Sequence, residues 1–143
     1  MGTTASCVFI NESKLHCGHV GDSRVYLIRA GFIYQLSVDH SLVSEQLKAG
    51  LITEEMADNH QLKNVITRSI GYQEEEFVDT FTREVERGDL ILLCSDGLHG
   101  KISDQEIVSI CNRHAESSHE KLIHLANKRG GEDNISVIVI TVK

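Results

Sequence analysis

At 143 residues, 41% of them hydrophobic, the chain has the size of one domain and enough apolar content to bury a core. Its net charge of -7 excludes nucleic acid as a main partner, because phosphate binding needs a basic surface. No apolar run of about eighteen residues is present, which excludes a membrane-spanning helix. No signal-peptide pattern precedes the first apolar stretch, so the cytoplasm is the expected compartment.

In chain order, "TTASCVFI" (3–10) and "KLHCGHV" (14–20) read as strands joined by the short connection "NES". "GDS" interrupts at 21–23. "RVYLIRAGFIYQLS" (24–37) then reads as two strands about a turn at Ala30-Gly31, so the first 37 residues are expected to form a four-stranded antiparallel meander. Helical signals follow. Ser41 is placed to cap "LVSEQLKAG", with Gly50 as its stop, and Thr53 to cap "EEMADNH". "NVITRSIG" (64–71) is short and mixed, and "QEEE" (73–76) reads as a solvated acidic turn. Residues 41–71 are therefore expected to be a helical excursion between β-like stretches.

From 77 to 95 the pattern is again β-like, with a turn at Arg87-Gly88-Asp89. Leu90 to Cys94 is a continuous apolar run, as expected of a strand buried on both faces. Ser103-x-x-Glu106 and Ser117-x-x-Glu120 read as capping boxes opening two helices. Gly130-Gly131 ends the second, and "NISVIVITV" (134–142) is a final, wholly apolar strand. The four cysteines, Cys7, Cys17, Cys94 and Cys111, form no C-x-x-C pair and are expected to be buried reduced thiols. His16 and His19 lack the second half of a zinc site. Strands buried on both faces require layers, and a sheet packed on a second sheet with helices outside fits.

Three acidic motifs lie at strand ends: "VGDSR" (20–24), "CSDGL" (94–98) and "GGEDN" (130–134). Each alone reads as a turn, a loop or a bulge. Together they point to a metal centre. If the strands before Asp96 and after Asp133 are antiparallel neighbours, both carboxylates leave the same sheet edge. Hard cations such as Mg²⁺ and Mn²⁺ take such oxygen ligands.

These motifs, in this order, resemble the bacterial form of the metal-dependent type 2C (PPM-type) serine/threonine protein phosphatases. "VGDSRVYLIRAG", "LSVDHSLVSEQLKAGLITEEMADNHQLKNVITRSIG", "GDLILLCSDGL" and "GGEDNISVIVI" carry the resemblance, which runs through nearly the whole chain. It implies an α+β fold, a β-sandwich of mostly antiparallel sheets flanked by helices in four α/β/β/α layers. It also implies hydrolysis of phosphoserine and phosphothreonine by water activated at two Mn²⁺ or Mg²⁺ ions, with a third, weaker site. No residue is then required as a covalent nucleophile. By the same resemblance Asp96 and Asp133 are metal ligands, and Asp22 joins Asp96 at the third site. Gly97 and Asn134 support the loops. Arg24 is assignable equally to structure or to substrate. His60 matches a histidine of the family's mobile flap, but Gln61 stands where a proline is usual, and a surface histidine is the alternative.

The family's D-G-x-G-G motif, whose aspartate bridges both metals, has no counterpart among residues 1 to 143. The chain thus resembles the C-terminal two-thirds of a phosphatase domain. Two expectations from different classes follow: part of an enzyme acting on phosphoproteins opposite a serine/threonine kinase, or a non-catalytic pseudophosphatase module that binds a partner. The isolated chain is expected to be nearly inactive and to self-associate through uncovered sheet.

Overall fold

The computed structural model describes residues 2–71, 75 and 77–143, with Asp58 described by its backbone alone. The strands are β1 (Ala5–Asn11), β2 (Lys14–Val20), β3 (Arg24–Arg29), β4 (Phe32–Gln35), β5 (Asp79–Glu84), β6 (Leu90–Cys94) and β7 (Val137–Thr141). The helices are α1 (Leu42–Lys48), α2 (Glu54–Asp58), α3 (Asp96–His99), α4 (Asp104–Arg113) and α5 (Ser118–Lys128). The acidic turn expected at 73–76 falls mostly outside the described residues.

The expected meander does not form. The first four strands are two hairpins in two different sheets, one of order β1-β2-β5 and one of order β4-β3-β6-β7. β2 pairs with β1 and β5, and β3 with β4 and β6, all antiparallel. Alternation along a strand shows which face is apolar but not which strand lies beside it. The break is Gly21, whose φ of 112° belongs to glycine and turns the chain from one sheet into the other. The turn expected at Ala30-Gly31 does form, with φ of 50° and 85°, the positive pair that a two-residue hairpin requires.

The four-stranded sheet is apolar on both faces because it is covered on both. Val25, Leu27, Ile91 and Leu93 meet Leu15, Cys17 and Val85 between the sheets. Tyr26, Ile28, Leu90, Leu92 and Cys94 meet Leu98, Ile102, Ile107, Cys111, Leu122 and Ala126 of the helical side. Alternate residues of β6 thus serve opposite cores, and all five are buried. The result is an α+β sandwich presenting three of the four expected layers among the described residues. The outer face of the three-stranded sheet is open. Phe9 is 64% exposed there, and Cys7, expected to be buried, is exposed as well. All four cysteines are free thiols.

Ser41 caps α1 by accepting from Ser44 N–H, and Thr53 caps α2 by accepting from Met56 N–H. Glu106 closes the capping box of α4 by accepting from Ser103 N–H at 3.1 Å. The second expected box is absent. Ser117 sits at φ -112°, ψ 13°, outside the extended conformation that a cap needs, and its side chain makes no capping bond. The apolar run 134–142 yields a strand only from Val137, and β7 is half-exposed because it has a neighbour on one side only.

Candidate metal centre

The acidic motifs converge because β6 and β7 are antiparallel neighbours, with Cys94 opposite Val137. Their pairing continues past the strand ends. Ser95 N–H donates to Ser136 O at 3.1 Å, Ser136 N–H donates to Ser95 Oγ at 3.0 Å, and Ser95 Oγ–H donates to Asn134 O at 3.0 Å. The loops are in such close contact that a Cβ on Gly97 would collide with the Asn134 carbonyl. Glycine is required there by backbone approach, and Asp96 and Asp133 therefore leave the same end of the same sheet. Gly97 and Asn134 lie at the contact between the two loops.

After Ser95 the chain turns directly into α3, a single-turn helix that the sequence reading did not include. Asp96 is its first residue, where free N–H groups favour a carboxylate. Gly97 N–H donates to Asp96 Oδ1 at 2.9 Å, and Asn134 N–H donates to Asp133 Oδ1 at 2.7 Å. Each carboxylate is thus steadied by the next peptide and keeps its other oxygen for a further partner.

Asp22 comes from the crossing between β2 and β3, where the chain passes from one sheet to the other. It is buried, and burial raises its pKa, with the nearby Asp96 carboxylate adding to the shift. A buried carboxylate whose charge is disfavoured in this way is what a cation would relieve. His99 ties the two elements together: its Nε2–H donates to the Asp22 carbonyl at 3.0 Å, reaching from the last residue of α3. Burial, and then the Arg24 charge, push His99 below the ordinary imidazole pKa, which keeps it a neutral donor.

Arg24 is engaged by side chains of its own chain. Its Nε and Nη2 grip Asp39 at 2.7–3.0 Å, and its Nη1 donates to Tyr26 Oη at 3.1 Å. Burial alone would lower Arg24, but the Asp39 carboxylate overrides it and holds the guanidinium above its ordinary value. With its donors so engaged, Arg24 fixes the start of β3 to the segment before α1.

Asp22, Asp96 and Asp133 line one open groove of about 890 Å³. Lys63, Lys101, Asp104 and Glu132 line it too. Lys101 Nζ bonds Glu132 at 2.7 Å, and that bond, with Lys63 adding to it, lowers the Glu132 pKa. The helical excursion lines the groove along much of its length, through Val43, Leu47, Glu54 and Lys63 among others. His60 does not line it; its Nδ1 accepts from Leu62 N–H at 3.1 Å, a local turn bond. Among the described residues no three His, Cys, Asp or Glu side chains gather closely enough to hold a metal by themselves. The donor set is nevertheless of hard oxygens, which fits Mn²⁺ or Mg²⁺ and does not fit a soft metal. Asp39 and His99 were missed by sequence reasoning. The one available signal for His99 was its spacing of three from Asp96, which puts both on one side of a helical turn.

Comparisons with known proteins bear on the family and the fold. A model of the protein phosphatase 2C family matches residues 1–135. The protein phosphatase PhpP of Streptococcus pneumoniae is 44% identical over 144 residues, covering 99% of this chain and 58% of that protein. The serine/threonine phosphatase stp of Listeria monocytogenes is 39% identical over 142 residues, covering 98% and 56%. The S. agalactiae serine/threonine phosphatase superposes with a TM-score of 0.93 at 39% identity, covering 98% of this chain and 59% of that one. A structure of the PstP catalytic domain in complex with two manganese ions superposes with a TM-score of 0.87 at 35% identity, covering 99% and 60%.

Proposed function

We propose, from a chain that belongs to the protein phosphatase 2C family, that it forms part of a metal-dependent hydrolase acting on phosphoserine and phosphothreonine in proteins. The chain spans about 58% of the length of the curated relatives it matches, so the activity is a proposal for the whole protein. The observation that carries the reading is the meeting of Asp22, from the β2–β3 crossing, and Asp96, from the end of β6, in one groove that Asp133 also lines.

Asp96 and Asp133 would hold the principal cations, Mn²⁺ or Mg²⁺, and Asp22 with Asp96 a third, weaker one. Bound there, the cations would lower the pKa of water and offset charge on the phosphoryl oxygens. The protein's own part is positional. Gly97 lets the two acidic loops touch, Ser95 joins them, and His99 holds the Asp22 peptide against α3. Lys63 and Lys101 supply positive charge along the groove, suited to a phosphorylated segment. His60 is proposed as a surface residue of the excursion, not a substrate contact.

No described helix is long and apolar enough to cross a membrane. A cytoplasmic protein opposing a serine/threonine kinase in signalling fits the phosphoprotein chemistry. The 143-residue chain alone is proposed to be nearly inactive, since its three aspartates need further ligands to hold two cations. The test is Asp96→Asn in the full-length protein, assayed with p-nitrophenyl phosphate and Mn²⁺. Loss of most turnover is expected. Near-normal turnover would remove Asp96 from the metal centre.

A further inference from the structure

Two histidines lie buried beside the acidic corner and take no part in the proposed chemistry: His19 is 1% exposed and His40 4%. Their rings are 5.1 Å apart. They hold the two peptide groups on either side of the Gly21 Cα. Gly21 N–H donates to His40 Nδ1 at 3.1 Å, and the Gly21 carbonyl lies 3.1 Å from His19 Nε2. A peptide N–H only donates and a carbonyl only accepts, so both tautomers are fixed. His40 must carry its proton on Nε2 and accept through Nδ1; His19 must carry its proton on Nε2.

The outer nitrogens are engaged as well. His19 Nδ1 lies 2.8 Å from Ser6 Oγ, its cross-strand partner on β1, which donates the hydroxyl proton. His40 Nε2–H donates to Asp79 Oδ2 at 3.0 Å, and Asp79 Oδ1 takes Arg68 Nη1 at 3.1 Å. Arg68 belongs to the end of the helical excursion and His40 immediately precedes its start. The two ends are closed further by Thr67 N–H donating to His40 O at 2.8 Å. On its remaining side Gly21 has no room, because a Cβ there would collide with the Thr4 side chain.

We propose that His40 and His19 are positioning residues that clamp the two peptide groups flanking Gly21, that this clamp sets where the adjoining Asp22 stands, and that His40, through Asp79 and Arg68, ties that corner to the base of the helical excursion. The inference rests on the metal-centre reading only for its consequence; the clamp itself is independent of any metal. Asp22 is the one acidic ligand candidate on the β2–β3 crossing between sheets, where the described backbone is held by a single backbone bond from His40 N–H to the Gly21 carbonyl at 2.8 Å and not by a strand ladder. A clamp through the preceding peptides supplies there what strand pairing supplies to Asp96 and Asp133.

Two substitutions separate the halves of His40. His40→Asn keeps an acceptor where Nδ1 stood and loses the reach to Asp79. His40→Gln keeps a donor where Nε2 stood and loses the acceptor for Gly21. In metal-free 15N NMR spectra of the full-length protein, His40→Gln should shift the Gly21 amide and speed its hydrogen exchange, while His40→Asn should leave it close to wild type. Titrated with Mn²⁺ and read by paramagnetic broadening of the 21–23 amides, His40→Gln should bind about tenfold more weakly, with His40→Asn restoring most of the affinity. An unmoved Gly21 amide in His40→Gln, or an equal shift in both variants, overturns the clamp. If Asp22→Asn leaves Mn²⁺ broadening unchanged, the metal reading fails, and the clamp is judged on the metal-free spectra. Should His40→Gln not fold, the wild-type imidazole spectrum decides. Proton-bearing Nε2 with unprotonated Nδ1 on His40 is expected, and a proton on His40 Nδ1 overturns the proposal.

Discussion

Gly97 and Asp89 show how single residues hold this fold. Gly97→Ala would drive a methyl group into the Asn134 backbone carbonyl, which cannot rotate away as a side chain could. Overpacking of this kind costs about 1–3 kcal/mol, and it should appear as a lower urea midpoint with an unchanged slope. Asp89 is buried at 2% exposure, accepting from Arg29 Nε and Nη2 at 2.8 and 2.6 Å and from Glu86 N–H at 2.7 Å. The Arg29 bonds outweigh burial and, with Glu86, hold the Asp89 carboxyl below its ordinary value. A depressed pKa in the folded state means stability that is fully present above the unfolded value and lost as pH falls through the folded one. Asp89→Asn should therefore cost about 2 kcal/mol at neutral pH. The gap from wild type should shrink below about pH 4, measured by urea unfolding at several pH values; a gap constant down to pH 2 would contradict the assignment. Residue by residue, the sequence made Asp96 and Asp133 legible because each follows or precedes an apolar run beside glycine. It left Asp39, His99 and Asp79 illegible, since their partners lie 15, 77 and 39 positions away and no local pattern encodes such pairings.

Elements were legible where their signals are local. Ser41, Thr53 and Ser103 cap helices as their spacing indicated, because a cap is satisfied within four residues. The partition of the first four strands between two sheets was illegible, since it depends on which non-local strand completes each pairing. The excursion shows the same locality in its energetics. Among the described residues from 42 to 71 only Val43 is buried, while every residue of β6 is. Leu51 and Met56 stand 72% and 53% exposed. An element with so little buried apolar surface opens at a fraction of the global unfolding cost. Amides of 42–60 should therefore exchange hydrogen well ahead of those of 90–94, read by mass spectrometry after deuterium labelling. Equal protection in the two segments would mean that the excursion folds and unfolds with the sandwich.

For the molecule as a whole, the determining feature is apolar surface that the described residues leave uncovered. β7 is the last strand of its sheet, paired with β6 alone, and Ile138 on it is 58% exposed. β1 is the edge of the other sheet, with Phe9 exposed on the open outer face. An edge strand offers unpaired N–H and C=O groups to any similar strand, and natural edges are usually guarded by charge, proline or a bulge. Val137–Thr141 carries no charge and no proline. We expect the 143-residue chain to self-associate through this edge, with a sedimentation coefficient that rises with concentration. Ile138→Lys places a charge on β7 where the side chain stands 58% exposed at the margin of the inter-sheet core, and should shift the chain toward monomer while leaving its thermal unfolding within a few degrees of the parent at low concentration. Association undiminished in Ile138→Lys but abolished in Phe9→Lys would move the contact to the three-stranded sheet. A concentration-independent monomer in the parent chain would show that these edges are guarded by twist alone.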